Sequence, residues 1–224
     1  MSTTPKGGRV RVKLQILQRL LEIGVIPVVR ADSQETALRI ADALLEGGAG
    51  TIEITATVPG SPKVIEALCQ RFPELLVGAG TIWDEASARA AIDAGARYIV
   101  SAGLSLDVIA TANRYGVPVI PGILTPTEAA QALAAGADVL KLFPAGAVGP
   151  AYLKALRGPL PHALWCPSGG VQVEDLRAWV EAGASMVGAA SPLMQDVAKT
   201  HDYAALTQRM RRWMEEWKRV HGAG

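Results

Sequence analysis

Asp138-Val-Leu-Lys-Leu-Phe-Pro144 reads as a short buried strand with a lysine at its centre. Alternation puts Val139, Lys141 and Phe143 on one face and Leu140 and Leu142 on the other. An ammonium held in such a run loses its hydration, and burial favours the neutral amine. A neutral amine is a nucleophile towards carbonyl carbon. The ordinary alternative is a lysine whose stem lies along apolar surface while its head reaches water. The units on either side of this strand decide between the two.

Those units repeat. Val10 to Ile23 has helical apolar spacing and stops at Gly24. Strand-like runs then begin at Val25, Thr51, Leu75, Tyr98, Pro118, Val139, Ala163 and Ser185, each followed by a helical stretch. Ser33, Ser61, Asp84 and Thr125 open helices, the last in a Thr-Pro-Thr-Glu capping pattern. Ala-Gly-Ala recurs at 94–96, 135–137 and 182–184, at matching helix-to-strand turns. Strand starts fall roughly 20 to 26 residues apart, which suits a small (β/α)8 barrel. The expected fold is therefore α/β, a single (β/α)8 TIM barrel with an extra N-terminal helix. A doubly wound open sheet is the alternative, because local patterns do not show closure. Residues 1–9 read as a flexible lead and 10–224 as the barrel domain.

Composition narrows the function. Half of the 224 residues are hydrophobic and 19% are charged, which describes a globular chain. Lysine and arginine number 22 against 21 acidic residues, so nothing in the overall charge draws the protein to nucleic acid or an anionic membrane. Cys69 and Cys166 lack CxxC spacing, and His162, His201 and His221 are scattered, so no metal site is expected. The polar, basic start and the lack of a long apolar run predict a cytoplasmic protein with no membrane span.

In a barrel of this kind chemistry sits at the C-terminal ends of the strands. Alternation along Thr51-Ile-Glu-Ile-Thr55 turns Glu53 inward with Thr51 and Thr55. An inward lysine and an inward glutamate make either a structural ion pair or a nucleophile with its general acid–base, and a buried pair adds little net stability. The other lysines, at 6, 13, 63, 154, 199 and 218, fall in helices or tails. Gly78-Ala-Gly-Thr81 ends the third strand with glycines that admit close approach to backbone. Arg30 ends the first strand and is either a carboxylate-binding fork or a surface arginine. Ser168-Gly169-Gly170 and Gly188-Ala-Ala-Ser191 end the seventh and eighth strands, where loops of such barrels often bind phosphate.

Taken in order, Glu53-Ile-Thr55, Gly78-Ala-Gly-Thr81, Pro121-Gly122 with Thr125-Pro-Thr-Glu128, Lys141-Leu-Phe-Pro144 and Pro167-Ser-Gly-Gly170 resemble the class I aldolases of 2-keto-3-deoxy-6-phosphogluconate (KDPG) and 4-hydroxy-2-oxoglutarate (KHG). The resemblance spans about residues 20 to 195. It implies a homotrimeric barrel acting on a small 2-keto acid, with no metal and no cofactor beyond a covalent imine at Lys141. By motif position Lys141 is the Schiff-base lysine and Glu53 the general acid–base. Thr81 lies near the pyruvyl carboxylate, Phe143 beside the lysine, and Gly169, Gly170 and Ser191 bind phosphate, with Ser168 keeping a hydroxyl where the family has threonine. Thr57 stands where many members carry an arginine, a role Arg30 is expected to take over. Ala189 replaces a usual glycine and is expected to crowd the phosphate loop. Two rival readings stand beside this one: a phosphate-binding barrel isomerase, epimerase or synthase that forms no imine, and a catalytically silent oligomeric scaffold with Trp213 and Trp217 in an interface patch.

Overall fold

Caps and glycines cut the chain into short units, and the computed structural model describes residues 8–222 of it. Helix α1 (Gly8–Ile23) comes first. Of the expected N-terminal lead, residues 1–7 lie outside the described residues, and Gly8 and Arg9 belong to α1. The alternating series follows as β1 (Val25–Val29), α2 (Gln34–Glu46), β2 (Thr51–Thr55), α3 (Ser61–Arg71), β3 (Leu76–Gly80), α4 (Glu85–Asp93), β4 (Tyr98–Val100) and α5 (Leu106–Tyr115). The fifth strand run is split at Pro121 into β5 (Val119–Ile120) and β6 (Gly122–Ile123), since proline supplies no ladder N–H. Next come α6 (Pro126–Ala134), β7 (Leu140–Leu142), α7 (Gly149–Arg157), β8 (Trp165–Pro167), α8 (Leu176–Ala182) and β9 (Val187–Ala189). Two short helices, α9 (Ser191–Met194) and α10 (Val197–Thr200), lead into the long α11 (Tyr203–His221).

Three of the four predicted helix-opening residues act as caps, while Ser61 is the first residue of α3, behind a left-handed Gly60 that makes no side-chain cap bond. Ser33, Asp84 and Thr125 each accept a backbone N–H at the start of α2, α4 and α6, and Thr125 with Glu128 makes the reciprocal capping box. Each helix then starts at a fixed residue, so the strand ends before it are fixed as well.

All strand pairs are parallel. One curled sheet has the order β5-β4-β3-β2-β1-β9, and a second has β6-β7-β8. A Ser168–Gly188 bridge lies between β8 and β9, and Ser185 N–H donates to the Trp165 carbonyl at 2.8 Å. Strand alternation sorts the apolar side chains into two clusters. Ile52, Ile54, Leu140 and Leu142 pack outward against the helices. Ile26, Leu76, Tyr98, Val100, Ile120, Val139, Cys166 and Met186 form a separate inner cluster with Ile16 and Leu20 of α1.

Helix α1 therefore covers one end of the inner cluster, and Leu20 is fully buried there. A polar anchor reinforces it. Lys13 Nζ lies 2.9 Å from Asp138 Oδ2 and 2.7 Å from Asn113 Oδ1, and the same Asp138 oxygen accepts the Val119 N–H at 2.9 Å. Asp138 stands three residues before Lys141, so α1 is tied to the run that carries the lysine.

Leu20→Ala should cost about 2–5 kcal/mol, the usual range for emptying a buried leucine site, as read by urea unfolding. A loss below about 1 kcal/mol would mean that α1 is a loosely held appendage.

Candidate active site

Glu53 and Lys141 sit in the middle of β2 and β7, with 2% and 5% of their surfaces exposed. The parallel register sets Lys141 beside Gly122 on β6 and Cys166 on β8, and Glu53 beside Val28 on β1 and Gly78 on β3. The buried thiol of Cys166 feels a charge from each sheet. It is pushed up to about 12, mainly by burial, with the Lys141 charge lowering it and the Glu53 charge raising it further. Burial first, and then the charge on Glu53, also hold the Tyr98 phenol well above its ordinary range.

Below Glu53 the polar groups are already committed. Thr51 Oγ1 donates to the Leu76 carbonyl at 2.7 Å, so the Tyr98 hydroxyl 2.9 Å away must donate to Thr51. Neither proton is left for the glutamate. Among the described residues no donor reaches Glu53 Oε1, although it is buried. An unpartnered buried carboxylate oxygen is costly, and such atoms concentrate where a ligand, water or proton transfer completes the bonding. Gly80 makes the space for this oxygen, because a Cβ there would overlap the Glu53 carboxylate.

Lys141 Nζ stands 5.3 Å from the centre of the Phe143 ring. That ring in turn rests on Gly169, where an added Cβ would come within 2.7 Å of it. Phe143 thus spans from the lysine to the loop after β8. Gly169 and Gly170 both have positive φ, 80° and 86°, a conformation that favours glycine. The loop is zipped to the one after β7: Ala145 N–H donates to the Ser168 carbonyl at 2.8 Å and Gly146 N–H to that of Gly169 at 2.7 Å. Ser168 is buried with its hydroxyl against Gly188. Ser191 is exposed at the start of α9. Among the described residues, the N–H groups of Gly169, Gly170 and Ser191 donate to no protein acceptor.

Arg30 is exposed just past β1, and its head is held from two sides. Nη1 donates to Thr57 Oγ1 at 3.2 Å and Nη2 to Thr81 Oγ1 at 3.4 Å. Thr57 in turn lies 2.8 Å from Thr55, whose hydroxyl donates to the Val29 carbonyl at 2.9 Å. Thr81 sits at φ 58°, a left-handed conformation that is unusual for a β-branched residue, and it aims its hydroxyl at the arginine. Thr57, at the position where an arginine is common, is here a support for Arg30.

The structure corrects the reading of Ala189. Its side chain is fully buried with the helix-facing cluster on the outer side of β9, so the methyl points away from the loop it was expected to crowd. Sequence reasoning turned Thr51 inward without giving it a role, and gave none to Tyr98 or to Cys166, which pairs beside the lysine. Alternation along Trp165-Cys166-Pro167 could have found the cysteine, since Cys166 is in register with Lys141. Among the described residues no cluster of histidine, cysteine and carboxylates suits a metal ion, and no helix is long and apolar enough to cross a membrane.

Parallel strands that carry an inward lysine and an inward carboxylate equip an enzyme that works on carbonyl compounds. A family model for KDPG and KHG aldolases matches residues 16–209. The chain belongs to that family. A 2-dehydro-3-deoxy-phosphogluconate aldolase from Pseudomonas aeruginosa is 34% identical over 88% of this chain and 90% of its own length. A native KDPGal structure superposes with a TM-score of 0.83 at 30% identity, covering 88% of this chain and 96% of the other. The KDPG aldolase of Legionella pneumophila, with pyruvate captured as a covalent carbinolamine, gives 0.76 at 29% identity over 93% and 97%.

Two outcomes follow from this packing. Gly80→Ala should fold yet lose activity by more than about tenfold, because the new methyl displaces the Glu53 carboxylate; unchanged kcat would show that Glu53 tolerates the shift. Cys166 should also shape alkaline stability. Its folded pKa is raised, so its contribution is complete below the unfolded value near 9.0 and is lost as pH rises towards about 12. Urea melts should show stability falling by up to about 1.4 kcal/mol per pH unit in that window, with a shallower fall for Cys166→Ala.

Proposed function

We propose that the protein is a Schiff-base aldolase that cleaves KDPG to pyruvate and glyceraldehyde 3-phosphate, and KHG to pyruvate and glyoxylate. The observation that carries this is the buried Glu53 oxygen without a partner, in an interior that also holds Lys141. Family membership and the covalent pyruvate adduct of the Legionella relative support it.

In this reading the unprotonated amine of Lys141 attacks the C2 ketone and forms a carbinolamine. Loss of water gives a protonated imine, which accepts the electron pair when the C3–C4 bond breaks. Glu53, directly or through a water, takes the proton of the C4 hydroxyl as the aldehyde leaves. The resulting enamine is protonated at C3, and hydrolysis of the imine frees pyruvate and regenerates the lysine. No metal or dissociable cofactor enters these steps. Arg30, steadied by Thr57 and Thr81, is assigned the substrate carboxylate, because a guanidinium fork matches it. Phe143 forms the apolar wall beside the imine. The free N–H groups of Gly169, Gly170 and Ser191, with Ser168 bracing the first loop, are assigned the phosphate.

The same proposal covers the architecture. The two curled sheets are read as one closed (β/α)8 barrel, with β5 and β6 as halves of one strand and α1 as the extra helix beneath it. The Ser168–Gly188 bridge, the Ser185–Trp165 bond and an inner cluster drawing on both sheets support closure. Residues 10–224 then form one domain. A homotrimer is proposed on the exposure of Trp83 and Leu106, at 55% and 53%, which Ser105 links through its bond to the Trp83 carbonyl. A cytoplasmic setting is proposed with it, in keeping with two free cysteines.

Borohydride reduction with pyruvate should add one pyruvyl unit at Lys141, read by peptide mass, and Lys141→Met should abolish it. Glu53→Gln should still trap pyruvate while kcat falls by about 10²–10⁴. An adduct elsewhere, or none, overturns the imine reading in favour of an isomerase or a scaffold.

A further inference from the structure

The last helix reaches both loops assigned to the phosphate. Arg209 Nε donates to the Leu193 carbonyl at 2.7 Å and Nη2 to the Met194 carbonyl at 3.4 Å. These carbonyls end the single turn of α9, which begins at Ser191, and Arg209 is their only donor among the described residues. Chain-end carbonyls of a helix lack partners of their own and favour a cation. Three residues further along the same face of α11, Arg212 binds Glu174 Oε1 at 2.6 Å, in the turn that follows the loop after β8. Trp213 is buried and, with both arginines, Gln172, Pro192 and Gln195, lines a small cavity of about 120 Å³. Gln195 closes the α9 turn at φ 46°, with its N–H on the Ser191 carbonyl at 2.7 Å. That turn is strained backbone in need of an outside hold.

Neither arginine touches the groups assigned to the pyruvyl half. Lys141, Glu53, Thr81 and Arg30 are fixed by strands and by each other. The loop after β8 has a second polar support in its two bonds to the loop after β7, whereas the carbonyls that end α9, beside the buried Leu193 and Met194 side chains, take hydrogen bonds from Arg209 alone among the described residues.

We propose that Arg209, assisted by Arg212, is a positioning residue that fixes the spacing of the loops after β8 and β9 and so sets the preference for a phosphorylated substrate. This rests on the phosphate reading of those loops given above. Removing Arg209 frees the turn that presents Ser191 while leaving imine formation intact, so the effect falls on one end of the substrate.

The test compares the full chain with Arg209→Gln, Arg209→Lys and Arg212→Gln, using KDPG and KHG as substrates and the exchange of pyruvate C3 protons as a readout of the imine. Arg209→Gln should raise KM for KDPG by about tenfold, the order expected for losing hydrogen bonds from a charged group, with KHG cleavage and proton exchange unchanged. Arg209→Lys should recover part of the loss, and Arg212→Gln should shift KDPG in the same direction by less. Equal effects on both substrates, or no effect on either, overturn the proposal. If Arg209→Gln does not fold, Arg212→Gln on the exposed ion pair decides by the same comparison. If the unaltered protein cleaves both substrates with equal kcat/KM, the phosphate reading itself fails, a result that the unmodified chain alone reveals.

Discussion

Two ionisable side chains buried inside an apolar shell set the terms for the rest of the molecule. Taking a carboxylate and an amine out of water costs several kcal/mol for each ion, and mutual attraction returns that only with good geometry. Here Glu53 Oε1 has no donor at all among the described residues. A fold that only needed stability would place apolar side chains at these two positions, as it does at Val139 and Leu76 nearby. The cost is met by packing elsewhere, in the apolar inner cluster and the plug from α1 beneath it.

The neighbours are also arranged so as not to satisfy the pair. The Tyr98 and Thr51 protons run to Thr51 and to the Leu76 carbonyl and leave none for Glu53. Cys166 is the residue in register with Lys141, and at ordinary pH it stays a neutral thiol, so it neither neutralises nor repels the lysine. Gly80 leaves room that any side chain would fill. Each choice leaves bonding capacity open at Glu53. This is the arrangement expected of a site built for a developing charge.

Much of this was legible in the sequence because its periodicities are short. A two-residue alternation turned Glu53 and Lys141 inward, and cap residues such as Ser33 and Thr125 marked helix starts. What escaped was set by long-range geometry. Nothing local to Ala189 reveals which side of β9 its methyl takes once the strand pairs with β1. Thr57 reads as a missing arginine until Arg30 arrives from another strand to use it. The left-handed backbone at Thr81 runs against local preference, so a propensity argument would not place it there. The bonds from Arg209 to the end of α9 depend on a helix that begins after the last strand.

These long-range supports fall into two groups with different rigidity. The half assigned to the pyruvyl group rests on strand pairing: Glu53, Lys141 and Cys166 lie within continuous ladders, and to move them the sheet must move. The half assigned to the phosphate rests on loops braced by side chains, with Phe143 and the Gly146–Gly169 bond on one flank and α11 on the other. Loops tolerate change far better than sheet interiors do. Chemistry shared across a family therefore belongs on the ladders, and the choice among leaving aldehydes belongs on the braced loops. On the proposal made for Arg209, that choice is open to change from α11 without touching a residue assigned to the substrate.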